Sequence, residues 1–499
     1  MTHRIKAAGL ACLLSGLLIL LACPALASAF APYQYPPRVP EANSAHVRAL
    51  LHGSRLTTSQ GWIVLHLSGG PYRVGFQNGF LVAQSTHYSV LDCIGAVGSH
   101  YRRNSEQIAK IVWSKVPREY QLEMRGIADG LHAAGYHSDT LWDVVAANDW
   151  ADQDCYSALL RGGSAKTLPK RTARLPKGLK KGGCSAFIAS GTATSDGRPV
   201  MGHSSWSWYP DSFINNVIFY VHPAHGFDFS YQSSGGQIWS GEDWYENSAG
   251  LLLTETTLAD THYNRNGTPI FVRARTAAQY DSTVKQCVHT LLKNNNGAYS
   301  NEWLIGDSTG LIASLQLGGR AHDLHESRNG FYGSSNFDWG TATRKEEGSI
   351  ADPYNPACVD YARYLRWGQL KTQYHGTIDA AVGRTMEADT YDSFLGKILP
   401  DARTICGEPE HTTPGLLHWD KWTLSPCGAT DAKICTEDMA LHGQKMWARW
   451  GHASGDAFHA GVFLKHYPTW AADNGGFAVF GLRTFASQTP RQWTLVTRP

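Results

Sequence analysis

Apolar positions change their period along the chain, and the changes mark its elements. Gly61-Trp-Ile-Val-Leu-His-Leu alternates and predicts a strand. The stretches from Gly79 to Ala96 and from Glu119 to Asp152 have apolar residues at helical spacing. In the second, Glu123, Gly126, Ile127, Gly130 and Leu131 share one face. Cys184-Ser-Ala-Phe-Ile-Ala-Ser alternates again, Ser195-Asp-Gly reads as a turn, and Arg198-Pro-Val-Met-Gly-His returns as a second strand. A hairpin centred on Asp196-Gly197 would set Cys184 opposite Tyr209, with Trp206 and Trp208 nearby. Further short strands are predicted over 213–222, 251–257, 303–305 and 311–317. From about residue 355 the pattern turns helical, including 359–370 and 436–450. Strands flanked by helical stretches suggest a layered α+β body.

The N-terminus has a different logic. Arg4 and Lys6 precede an apolar run from Ala7 to Ala22, and Ala27-Ser28-Ala29 forms an A-x-A site. This is the pattern of a secretory signal at 1–29, cut after Ala29 to leave Phe30 first. Leu20-Leu-Ala-Cys23 is a looser lipoprotein alternative. The apolar run is short for a membrane span, so the expected location is secreted or periplasmic. Residues 30–45 are Pro- and Tyr-rich and read as an extended arm. Export would place the eight remaining cysteines in an oxidising compartment, where disulfides are expected, and Cys427 and Cys435 are close enough in sequence to bridge a loop. No C-x-x-C pair or zinc-finger spacing occurs, so no metal site and no cofactor are expected.

Composition narrows the classes. The 499 residues balance 44 Lys+Arg against 42 Asp+Glu and include 17 Trp. High aromatic content and low net charge exclude intrinsic disorder, and the residue mix excludes a coiled coil. No basic excess supports a nucleic-acid partner. The balance is an average, because seven basic residues and no acid fall between Lys166 and Lys181. Pro169, Pro176 and Gly178 interrupt that tract, which reads as a linker or processing segment. Without it and the signal, the chain is mildly acidic, which leaves at most peripheral membrane contact. The expected organisation is a signal (1–29), an N-terminal chain of a precursor (30–164), a basic linker to be excised (165–183) and a catalytic chain (184–499).

Three features could carry chemistry. Gly306-Asp-Ser-Thr-Gly310 matches the G-x-S-x-G pattern, but an alternating run follows where a nucleophile elbow needs a helix, so a hairpin turn is expected. His322-x-x-His325-Glu326 lacks the order of a metalloprotease motif and reads as surface or structural. Cys184 opens a strand directly behind the basic tract and Gly182-Gly183. Cleavage of the Gly183–Cys184 bond would give it a free α-amine, whose pKa near 7.7–8.0 suits a base at neutral pH. That amine could take the thiol proton within one residue. A buried or disulfide-bonded cysteine is the plain alternative.

Several segments then resemble one family: GWIVLHLSGGPYRVGFQNGF, EMRGIADG, AANDWAD, GCSAFIASGTATSDGRPVMGHSSW, NSAGLLLTETTL, NEWLIGDSTG, GSSNFDW and WARWGHASGDAF, from about 61 to 458. They resemble the phospholipase B-like proteins of the N-terminal-nucleophile (Ntn) hydrolases, relatives of isopenicillin N acyltransferase and cholylglycine hydrolase. The resemblance implies a four-layer αββα sandwich, self-cleavage before Cys184, and acyl transfer through a thioester on that sulfur. It implies catalytic roles for Cys184, Asn336 (the relatives' T-N motif) and Arg363 (their R-F-x-R arginine). It implies oxyanion or pocket positions at His203, Ser204, Trp206, Glu255 and Thr257. Ser204 stands where the family usually has Asn, and Thr257 where the cholylglycine relatives have an oxyanion-hole Asn. The implied substrate is a phospholipid ester. An N-acyl amide handled by the same nucleophile, a serine esterase using Ser308, and a non-catalytic binding protein are the alternatives.

Overall fold

A computed structural model describes residues 35–95, 99–160, 173–174, 183–258, 262–347, 354–412, 427–468 and 487–499. The expected signal and most of the basic linker lie outside the described residues. The chain is a mixed α/β protein built on two large sheets. Their strands are β1 (Arg55–Ser59), β2 (Trp62–Gly69), β3 (Gly183–Gly191), β4 (Gly197–Trp208), β5 (Val217–Pro223), β6 (Phe229–Ser233), β7 (Trp244–Asn247), β8 (Leu252–Thr257), β9 (Asn301–Gly306), β10 (Ile312–Leu317), β11 (His322–Ser327), β12 (Gly330–Ser334), β13 (Cys427–Thr436), β14 (Met446–Trp450) and β15 (Thr494–Val496). The nine-stranded sheet runs β1-β2-β5-β6-β7-β8-β9-β10-β11, and the six-stranded sheet runs β12-β3-β4-β13-β14-β15. Only β2 and β5 pair in parallel within these sheets.

Strand alternation sorts the side chains into layers. In β2, Ile63, Leu65 and Leu67 enter a core shared with helices, while Trp62 and Val64 face the other sheet. In β5, Val217, Phe219 and Val221 take the first side, and Ile218 and Tyr220 the second. Burial on both faces explains why β2 and β5 read as near-continuous apolar runs. In β3, Ala186 and Ile188 point to the inter-sheet core. Phe187 and Ala189 pack outward with Trp367, Leu370 and Met386.

The helices behind the larger sheet include α1 (Pro71–Leu81) and α2 (Arg118–Ala133). Two glycine pairs let these helices touch. A Cβ built on Gly79 would lie 2.1 Å from the Ile127 carbonyl oxygen, and one on Gly126 would lie 2.1 Å from the Tyr72 carbonyl oxygen. The helical face read from Glu123 to Leu131 is therefore the contact face. Glu123 on it forms a buried bidentate pair with Arg275, at 3.1 and 2.9 Å.

Three expectations need correction. Cys184 pairs with Ser205, not Tyr209. The β3–β4 loop is longer than two residues, because Gly191 and Gly197, both at positive φ, face each other across it. The 436–450 stretch is not one helix: β13 ends at Thr436, a short helix spans Glu437–Leu441, and β14 follows. Finally, Cys427 and Cys435 lie on one strand, where about 3.3 Å per residue separates them far beyond disulfide reach. The Cys435 thiol donates instead to Glu246 Oε2 at 2.7 Å. Cys184, Cys287, Cys406 and Cys435 carry free thiols. Asp307–Gly310 is the expected hairpin turn, with Ser308 exposed.

Candidate active site around Cys184

Cys184 is the second residue of β3 and is buried. Its backbone N–H donates to Asn336 Oδ1 at 2.9 Å. Its carbonyl accepts a short bond from the Arg363 guanidinium. Helix α3 (Val359–Gln373) carries Arg363 against the outer face of β3. The guanidinium also donates to Ser185 Oγ at 3.2 Å, Asn336 Oδ1 at 2.9 Å and Asp360 Oδ1 at 3.0 Å. Its carbon lies 4.2 Å from the centre of the Trp206 ring. A buried guanidinium with this many acceptors is a fixed fork, not a snorkelling surface arginine. Burial still depresses its pKa, with Asp360 and Cys184 opposing.

Asn336 follows β12 and adopts φ +63°, a left-handed conformation that Asn tolerates better than most residues. It fastens three strands. Its N–H donates to Thr256 Oγ1 at 3.2 Å and its amide Nδ2 to the Thr257 carbonyl at 2.9 Å, while Oδ1 holds Cys184 and Arg363. In this structure its amide thus positions Cys184. The Thr257 hydroxyl lies 2.6 Å from Tyr299 Oη, so Thr257 meets Asn336 through its backbone.

The thiol points into the space between the sheets. Cys184 Sγ lies 3.6 Å from Asp243 Oδ2, and donor atoms of Cys184, His203 and Asp243 all fall within 4.8 Å of one another. Burial, then the Asp243 charge, pushes the Cys184 thiol well up. Burial also lifts Asp243 to about 6 and raises Glu255 beside it. His203 is held far below its usual range by burial and by Lys433. The imidazole is therefore neutral, and the thiol is protonated until a base takes its proton. Lys433 stands close by on β13, donating to Ser205 Oγ at 2.6 Å and Asp431 Oδ1 at 2.7 Å.

The structure gathers Gly183, Cys184, His203, Glu255, Thr257, Asn336 and Arg363, and it turns the side chains of Ser204 and Trp206 away from the thiol, which the Trp206 backbone still reaches. Alternation along β4 turns those two to the outer face: Ser204 Oγ donates to Glu387 Oε2 at 2.7 Å, and Trp206 lies against Arg363. Their side chains back the site and do not line it. Sequence reading missed Asp243, Asp360 and Lys433. Asp243 had no motif to announce it. Lys433 had no local signal either: its neighbours Ala432 and Ile434 pack on the outer face of β13, while Cys435 shares its inward side. His322 and His325 lie on β11, and His325 stacks on Trp339 with ring centres 4.1 Å apart, as expected of structural histidines.

No family profile matches the chain. An uncharacterised protein of Archaeoglobus fulgidus is 29% identical over 266 residues, covering 50% of this chain and 42% of that protein. The chain thus matches less than half the length of this curated relative. Among solved structures, penicillin V acylase from Agrobacterium tumefaciens aligns with a TM-score of 0.33 and 14% identity, over 54% of this chain and 83% of that one. A mutant of conjugated bile acid hydrolase from Clostridium perfringens aligns with a TM-score of 0.32 and 10% identity, over 53% and 88%.

Proposed function

We propose that the chain is a self-processing Ntn hydrolase of the αββα type, with Cys184 as nucleophile. The observation that carries this reading is the grip on Cys184: Asn336 takes its backbone nitrogen and Arg363 its carbonyl, while the thiol is left to face the interior. Such a grip fixes the backbone of a residue whose nitrogen must act. In the first reaction Sγ attacks the Gly183 carbonyl carbon, the bond to the Cys184 nitrogen breaks, and that nitrogen gains a proton. Water then cleaves the thioester, leaving a carboxylate on Gly183 and a free α-amine on Cys184.

That amine supplies the base that a raised thiol pKa demands. It takes the thiol proton, and the sulfur attacks an acyl carbonyl. The ammonium returns the proton to the departing alcohol or amine, and water releases the acid. Asn336 Oδ1, still bonded to the nitrogen, turns the amine lone pair toward the sulfur. We assign an exported enzyme that deacylates phospholipids, in keeping with the phospholipase B-like motifs, with excision of the 165–183 linker opening the buried thiol to substrate.

Intact mass and N-terminal sequencing test the processing. The expected result is a fragment beginning at Cys184, absent from Cys184→Ala. A fully active, uncleaved chain overturns the proposal. Release of fatty acid from phosphatidylcholine, set against release from an N-acyl amino acid, decides the substrate.

A further inference from the structure

A second cluster of ligating side chains lies away from the thiol, in the segment from Asp401 to Thr412. Glu408, Glu410 and His411 each bring one donor atom within 4.8 Å of the others. His411 Nε2 lies 3.9 Å from Glu408 Oε2 and 3.9 Å from Glu410 Oε1. These distances are too long for hydrogen bonds. They are close to what an ion at the centre would ask, since two bonds of ~2.1 Å at a tetrahedral angle set donors ~3.4 Å apart.

The other carboxylate oxygens are already occupied. Glu408 Oε1 accepts from Ser454 Oγ at 2.6 Å, and Glu410 Oε2 faces Tyr209 Oη at 3.5 Å. The two oxygens turned toward His411 are buried and have no hydrogen-bond partner. Both Glu side chains are at most 1% exposed, while His411 is 42% exposed. Two buried carboxylate oxygens that face one imidazole without a hydrogen-bond partner are costly unless a cation is shared between them. The half-exposed imidazole gives that cation a way in and leaves a position for water.

We propose that Glu408, Glu410 and His411 bind one divalent transition-metal ion of the zinc type. Two carboxylate oxygens and an imidazole nitrogen are an N/O set that suits such ions better than Mg2+ or Ca2+, which prefer oxygen alone. The ion braces a segment that matters to the active site. A Cβ on Gly407 would lie 2.0 Å from the Trp206 ring, and Trp206 in turn lies against Arg363. Tyr209, next to Glu410, stacks on Phe458 at 3.7 Å and contacts His452 Nε2 at 2.6 Å. The inference does not depend on cleavage at Cys184.

Calorimetric titration of the chelator-treated full chain with Zn2+, together with elemental analysis and thermal unfolding, tests it. The expected result is one equivalent bound and a higher unfolding midpoint. His411→Ala, at a half-exposed position that folding tolerates, should weaken binding by at least ~10-fold. The Glu408→Gln/Glu410→Gln pair should abolish the midpoint shift. The chain has 22 histidines, so equal Zn2+ uptake by wild type and by His411→Ala means adventitious binding and overturns the proposal. So does a folded wild-type chain that takes up no Zn2+ at micromolar concentration, or one that prefers Ca2+.

Discussion

Asn336→Gly separates the two tasks of that residue. Glycine keeps the φ of +63° without steric cost, so the variant removes only the side chain. The Cys184 N–H and one Arg363 N–H lose an acceptor, and the Thr257 carbonyl loses a donor. An unsatisfied buried group costs ~1–3 kcal/mol, so three of them set a loss of at least ~3 kcal/mol. Much of it falls on the geometry of Cys184, and ~3 kcal/mol expressed in a barrier is about 100-fold in rate. Asn336→Ala adds a left-handed alanine, worth a further ~1–2 kcal/mol of strain, and this term acts on stability. The assay follows appearance of the Cys184 fragment over time, with circular dichroism reporting the fold. Asn336→Gly should fold and process about 100-fold more slowly. Asn336→Ala should be less stable again, with little further loss in rate. Wild-type processing by a folded Asn336→Gly chain would refute the claim that the amide positions the nucleophile.

Other outcomes follow from the same contacts. Arg363→Lys keeps a charge but loses the planar fork that reaches Cys184, Asn336 and Asp360 together, so processing should slow at least ~10-fold while the chain still folds, read by fragment yield. Gly126→Ala drives a methyl into backbone at 2.1 Å and should destabilise the chain by ~3 kcal/mol, or prevent folding, in urea denaturation. Ser308→Ala changes an exposed turn residue and should leave hydrolysis at the wild-type rate; loss of activity would favour a serine esterase. Glu387, lifted to about 8 chiefly by burial, binds its proton more tightly folded than unfolded. Its contribution is therefore full below the unfolded value of 4.5 and is lost as pH rises through 8. Glu387→Gln should flatten the fall in stability between pH 5 and 8 by about 1.4 kcal/mol per pH unit.

What the sequence made legible was local, and the misses share one cause. β2, β3 and β8 were legible as short apolar stretches because each strand presents apolar groups to two covered faces. The α2 contact face was legible because helical spacing lines up Gly126 and Gly130. Pairing register was not, because it depends on loop length: the long loop between Gly191 and Gly197 moved the partner of Cys184 from Tyr209 to Ser205. That shift by an even number of residues kept the faces of β4 in phase, so His203 still points inward beside the thiol. Ser204 and Trp206 fall outside for the same reason, since any residue one step from an inward position must face the other way. The resemblance named His203, Ser204 and Trp206 together because a motif is a run in sequence. A strand divides the side chains of such a run between two layers, and here only the odd-numbered ones face the sulfur. Asp243 completes the argument from the other side. It comes from a loop of the opposite sheet, 59 residues away from Cys184 in the chain, and no local pattern can report a contact that two stacked sheets create.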